Sequence, residues 1–105
     1  MSRTTEIGTK LALLQALAHH DGTVFDLVRH VEEATNGRVV VDLGCAYPAL
    51  RELEADGLLA KYKGKRTSER TGRSALYYKL TPAGRTTAMA QAKALRGLLA
   101  LGKLL

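Results

Sequence analysis

Apolar residues in this chain change their spacing twice, and that change limits the fold more than any other feature. Up to Gly57 they recur about every 3.6 residues, as on one face of a helix. From Leu58 to Leu80 they alternate with polar residues, and after Pro82 helical spacing resumes. A two-residue period cannot be buried by a helix, so an antiparallel hairpin must stand between a helical first half and a helical end. The 105 residues suffice for one hydrophobic core, so all of these elements must share it.

The helical half divides at its capping residues. Ile7, Leu11, Leu14 and Leu17 or Ala18 line one face of a helix expected from about Glu6 to His20, with Thr5 as its cap and Asp21-Gly22 as its end. Thr23 followed three residues later by Asp26 marks the start of a second helix, which turns Val24, Leu27, Val28 and Val31 inward until Asn36-Gly37. Arg38 to Val41, β-branched after the arginine, reads as a short strand leading to Asp42, the cap of a third helix over Leu43 to Asp56. Leu43, Ala46, Tyr47, Leu50 and Leu53 form its expected inner face, and Gly44, Cys45, Pro48, Arg51, Glu52 and Ala55 its outer one. Pro48 removes a backbone donor there and predicts a kink or an irregular first turn.

Beyond Gly57, Leu59, Lys61 and Lys63 alternate with Leu58, Ala60 and Tyr62, and Leu76, Tyr78 and Leu80 with Tyr77 and Lys79. These two strands flank a glycine-bounded loop from Gly64 to Arg73. Thr81-Pro82 then opens a helix running to Leu105. The order is that of a winged helix-turn-helix: an α+β fold, mostly α, with a two- to three-stranded wing and a long C-terminal dimerisation helix. Residues 1–81 are the expected DNA-binding domain and residues 82–105 the dimerisation helix of the same unit.

The formal net charge of +6 favours a polyanionic partner, and its placement is more telling than its size. Lys61, Lys63, Lys65, Arg66, Arg70 and Arg73 face only Glu69 in the same stretch, which concentrates the positive field at the hairpin. Lys63, Lys65, Arg66, Arg70 and Arg73 are therefore candidates for contact with phosphates or the minor groove of duplex DNA. Gly44, Cys45, Tyr47, Pro48 and Arg51 are candidates for the major groove, because a first turn of small residues lets a helix approach bases closely. Tyr47 can alternatively be a core residue with an exposed hydroxyl, and Arg51 a partner of Glu54. Met89, Ala92, Leu95, Leu98 and Leu99 form an apolar stripe on the last helix that a second copy of the chain would cover; a helix folded back over the first two is the alternative.

The stretch Gly44 to Leu59, with its Tyr-Pro-Ala-Leu, Arg-Glu-Leu-Glu and Asp-Gly-Leu, resembles the recognition-helix signature of the PadR family of transcriptional regulators. Val31 to Gly37 and Tyr77 to Arg85 are similar to the same family. The resemblance implies a dimeric repressor whose third helix enters the major groove, whose wing touches the DNA backbone or minor groove, and whose last helix mediates dimerisation. The implied partners are double-stranded DNA, as a palindromic operator, and a second copy of the chain; whether a small-molecule effector also binds is left open. The family's His-Gly-Tyr-Glu-Leu at the start of the second helix is here Thr23-Val24-Phe25-Asp26-Leu27. A winged helix used to dock on another regulator is the rival reading, and the basic hairpin argues against it.

Other classes of function lack the residues they need. One cysteine, Cys45, allows no disulfide within the chain, although its place in a helical first turn admits a redox role beside the simpler one of a small residue against a thymine methyl or the core. His19, His20 and His30 have no helical metal-ligand spacing, and no nucleophile and base, phosphate loop or carboxylate pair is present, so neither a cofactor nor an enzyme activity is expected. No apolar run approaches a membrane span or signal peptide, and the expected location is cytoplasmic.

Overall fold

A computed structural model describes residues 2–67 and 74–102, with side chains described for residues 8–64 and 75–101. Four helices and one hairpin follow in order: α1 (Ser2–His19), α2 (Val24–Ala34), α3 (Leu43–Ala55), β1 (Leu59–Thr67), β2 (Ser74–Leu80) and α4 (Pro82–Gly102). The fold is the expected mostly helical winged helix-turn-helix.

Local chemistry fixes most boundaries. Thr23 and Asp26 form a reciprocal capping box, the Asp26 amide donating to Thr23 Oγ1 at 3.2 Å and the Thr23 amide to Asp26 Oδ2 at 3.0 Å. Asp42 caps α3 by accepting from the Cys45 amide at 2.9 Å. Gly57, at φ +76°, ends α3 in the left-handed region that favours glycine. Thr81 caps α4, accepting from the Gly84 amide at 3.0 Å, with Pro82 as first helical residue.

Leu13, Leu14 and Leu17 of α1, Leu27 and Val31 of α2, Leu50 and Leu53 of α3, Leu59 and Leu80 of the hairpin and Ala88 of α4 make one continuous core. The hairpin pairs Leu59 with Leu80, Lys61 with Tyr78 and Lys63 with Leu76 on one face, and Tyr62 with Tyr77 on the other. Tyr78 also exchanges backbone hydrogen bonds with Gly22, at 2.8 and 3.2 Å, so the turn between α1 and α2 lies along the edge of β2.

Several local expectations are corrected. Helix α1 begins at Ser2, which puts Thr5 inside it rather than at its cap, since nothing before Thr5 halts a helix. Residues 38–41 are not a strand. The Thr35 hydroxyl accepts from the Val39 amide at 3.0 Å and the Thr35 carbonyl from the Arg38 amide at 3.1 Å, so the donors a ladder would use are taken locally. Within α3, Ala49 is buried while Leu43 and Tyr47 are exposed, because small Ala46 and Ala49 face inward as α3 packs against α1. Pro48 neither breaks nor ends α3. Strand β1 passes Gly64 and continues to Thr67, with a register shift between Lys63 and Thr67, so residues 64–67, expected in the loop, belong to the strand.

Candidate nucleic-acid interface

The outer surface of α3 is set by which residues it buries. With Ala46, Ala49, Leu50 and Leu53 inward, Gly44, Pro48, Arg51 and Ala55 face away from the core and Leu43 and Tyr47 lie along one flank. Cys45 is half-buried on the other flank, its thiol donating to Asp42 Oδ2 at 3.7 Å. It borders a cleft of about 310 Å³ between α1 and α3, which the Lys10–Glu52 ion pair spans at 3.2 Å. Tyr47 is 40 % exposed, at the boundary between the outer face and the core.

The hairpin is fastened beside this face from both sides. On its inner face Lys61 pairs with Glu54 of α3 at 3.4 Å, so Glu54 is engaged with the hairpin instead of with Arg51, which among the described residues makes no ion pair. Tyr78 is buried on the same face. Burial pushes its phenol above the ordinary value, Tyr47 and Glu54 add to that shift, and Arg51 opposes it. On the outer face the Tyr62 hydroxyl donates to Asp21 Oδ2 at 2.8 Å, tying the hairpin to the turn after α1 and raising the Tyr62 phenol above its ordinary value. The Tyr62 and Tyr77 rings stack with centroids 5.5 Å apart, and Lys79 Nζ sits 5.6 Å from the Tyr62 ring centre. Gly64 lies beneath this stack, where a Cβ would displace the Tyr77 ring.

Of the basic cluster, Lys63 is exposed on the same strand face as Lys61. Lys65 and Arg66 have their backbone in β1 but their side chains outside the described residues, and Arg70 and Arg73 lie outside the described residues altogether. The structure thus brings Gly44, Tyr47, Pro48 and Arg51 onto one surface of α3, the helix to which Glu54 holds Lys61.

The proposed dimer stripe is on α4. Met89, Leu98 and Leu99 are strongly exposed and Ala92 and Leu95 partly so, while Gly84 and Ala88 pack inward. Gln15 of α1 donates to the Ala88 carbonyl at 2.8 Å and holds the first half of α4 to the core. The second half extends away, and the principal extents of 54 × 29 × 22 Å reflect that rod. Among the described residues, Leu98, Leu99 and Leu101 on it are covered by neither α1 nor α2.

Sequence spacing did not foresee the imidazole cluster. The His30 ring lies 4.7 Å from that of His20 and 5.8 Å from that of His19, because the Asp21-Gly22 turn brings the end of α1 against α2. Among the described residues, no three potential ligands are arranged to hold a metal ion. The Asp21–Tyr62 bond and the Tyr62–Tyr77 stack also escaped the pattern, although a glycine inside an alternating run at Gly64 signals such a close approach.

A helix-turn-helix whose third helix is open to solvent beside a basic hairpin defines a winged-helix domain of the nucleic-acid-binding type. The model of the PadR-like family of transcriptional regulators matches residues 13–90, and the chain belongs to that family. Members of the family are transcription regulators rather than enzymes. The fold is similar to that of a PadR-like transcription factor from Bacteroides fragilis, at 24 % identity and a TM-score of 0.75 over 97 % of this chain and 93 % of that one. A transcriptional regulator from Clostridium thermocellum is similar at 18 % identity and a TM-score of 0.76, over 98 % and 94 %. Bacillus subtilis PadR in complex with operator DNA is similar at 18 % identity and a TM-score of 0.66, over 79 % of this chain and 45 % of that one. No curated protein matches the sequence. No described helix is long and apolar enough to cross a membrane.

Proposed function

We propose that the protein is a cytoplasmic transcriptional repressor that binds double-stranded DNA at a palindromic operator as a homodimer. In this reading Gly44, Tyr47, Pro48 and Arg51 face the major groove with Cys45 at its margin, and the wing residues Lys63, Lys65, Arg66, Arg70 and Arg73 contact the backbone or minor groove. Residues 1–81 form the DNA-binding domain, and Met89, Ala92, Leu95, Leu98 and Leu99 of the last helix form the two-fold contact. The observation that carries the reading is the exposed outer face of α3 next to the exposed Lys61 and Lys63, on a hairpin whose orientation is held by Asp21 and Glu54. The complex of Bacillus subtilis PadR with operator DNA supports it through the shared fold.

Chemistry runs through electrostatics and shape alone. Wing cations release counterions from the phosphates and draw the domain onto the duplex, and each phosphate neutralised steepens the log-log salt dependence by about 0.9. The narrow first turn of α3 then approaches the bases, while a two-fold contact through α4 would place two recognition helices about 34 Å apart, one turn of DNA. Repression follows if the occupied operator overlaps the site where polymerase must bind.

Mobility-shift titration on duplex DNA at two salt concentrations tests this. Binding at low salt that weakens steeply with salt, and that charge reversal of Lys65, Arg66 and Arg70 abolishes, is expected. Absence of binding at low salt, or binding indifferent to those reversals, overturns it in favour of a protein-docking winged helix.

A further inference from the structure

Base edges in the major groove offer two kinds of handle: hydrogen-bonding atoms and the C5-methyl of thymine. The residues that α3 and its leading turn expose are poor in side chains for the first kind. Val40 is 60 % exposed, Leu43 38 % and Tyr47 40 %, and Gly44 and Pro48 are exposed between them. No Asn, Gln, Lys or Arg occurs from Val39 to Leu50. Asp42 is committed to the cap, and the Cys45 thiol donates to that same carboxylate. The first long donor is Arg51, two turns into the helix.

We propose that Leu43, Tyr47 and Pro48, with Val40 from the preceding turn, read thymine methyl groups, so that the operator half-site is defined by its thymines and by one guanine-type contact from Arg51. The occupant of this apolar strip is the major groove because charge surrounds it on the wing side. Exposed Lys61 and Lys63 share one face of the hairpin, which Glu54 ties to α3, and the chain carries +6 overall, which suits a polyanion bearing apolar groups and does not suit an apolar protein surface. Tyr47 adds a hydroxyl beside its ring, which reaches a phosphate when the ring edge lies on a methyl. The inference rests on the DNA-binding reading above and adds the chemical class of base that the helix selects.

The test uses selection from a random duplex pool, followed by resynthesis of the enriched duplex with deoxyuridine in place of thymidine. Deoxyuridine deletes only the methyl and leaves pairing intact. The expected result is loss of affinity of about fourfold for each contacted methyl, the factor corresponding to burial of one methylene-sized group. In Leu43→Ala the ratio of the affinities for the thymidine and deoxyuridine duplexes falls toward one. Arg51→Ala weakens thymidine and deoxyuridine duplexes alike. Equal affinity for the two duplexes, or enrichment of half-sites without fixed thymines, overturns the inference while leaving DNA binding intact. Failure to bind either duplex at low salt overturns both.

Discussion

Gly84 and Gly97 lie in the same helix, and the same substitution at each is expected to act with opposite sign. A Cβ built on Gly84 falls 1.8 Å from the carbonyl oxygen of Leu58 and 2.8 Å from its carbon, whereas one on Gly97 meets nothing within 4 Å. The obstacle at Gly84 is backbone, and that backbone is occupied: the Leu58 carbonyl accepts from the Thr81 amide at 3.1 Å, and the Thr81 hydroxyl donates to the Gly57 carbonyl at 2.6 Å. Alanine gains about 1 kcal/mol over glycine in a helix interior. At Gly84 this gain is outweighed, because α4 and the Leu58 peptide must part by roughly 1 Å, an overpacking cost of about 1 to 3 kcal/mol, and each anchoring hydrogen bond lost costs about 1 kcal/mol more. Gly84→Ala should therefore destabilise by about 2 kcal/mol and lower Tm by roughly 10 °C, while Gly97→Ala should stabilise by up to about 1 kcal/mol. Thermal and urea unfolding followed by circular dichroism, at one fixed protein concentration because self-association raises apparent stability, measures both. A Gly84→Ala protein as stable as the parent would refute the packing argument, and a destabilised Gly97→Ala would show that its surface is covered.

Three further outcomes are expected. Thr23→Ala removes one arm of the capping box and should cost about 1 kcal/mol by urea unfolding, with Thr23→Ser largely retaining it. Pro48→Ala restores an amide donor in the interior of α3, so it should raise stability, by an amount on the order of the 3 kcal/mol an interior proline costs, and weaken duplex binding; unchanged Tm would show that α3 already accommodates the ring. The Tyr78 phenol is held above its ordinary value of 10.0 mainly by burial, so the folded state keeps its proton after the unfolded chain has lost it. Its contribution is full below pH 10.0 and is lost as pH rises through the higher folded value, so between these two values stability should fall more steeply in the parent than in Tyr78→Phe.

Much of this architecture is legible in the chain because its boundaries are written by local chemistry. Thr23 with Asp26, Asp42, Gly57 and Thr81-Pro82 each satisfy or interrupt backbone hydrogen bonds within a few residues, and periodicity identifies the core of α2 and the hairpin, while in α1 it finds Leu14 and Leu17 but misses Leu13 and Ala16. The rotation of α3 is less legible, since Leu43 and Tyr47 are as apolar as Ala46 and Ala49. Only the close approach of α1 decides that the small pair goes inside. Val39 and Val40 mislead for a similar reason: their strand preference is outweighed by Thr35, whose hydroxyl captures the amide of Val39. Contacts between distant segments, such as Tyr62 with Asp21 and Gln15 with Ala88, leave no periodic trace at all.

The docking of Gly84 on Leu58 has a mechanical consequence. It joins the foot of α4 to the peptide that links α3 to β1, so the helix that carries the apolar stripe and the segment between recognition helix and wing move as one body. From that foot α4 runs 21 residues, about 30 Å, to its end. A tilt of about 5° at the foot would swing the far end by roughly 3 Å, comparable to one base-pair step of about 3.4 Å along DNA. In the proposed homodimer, a change in the angle between the two α4 helices would therefore change the distance between the two copies of α3.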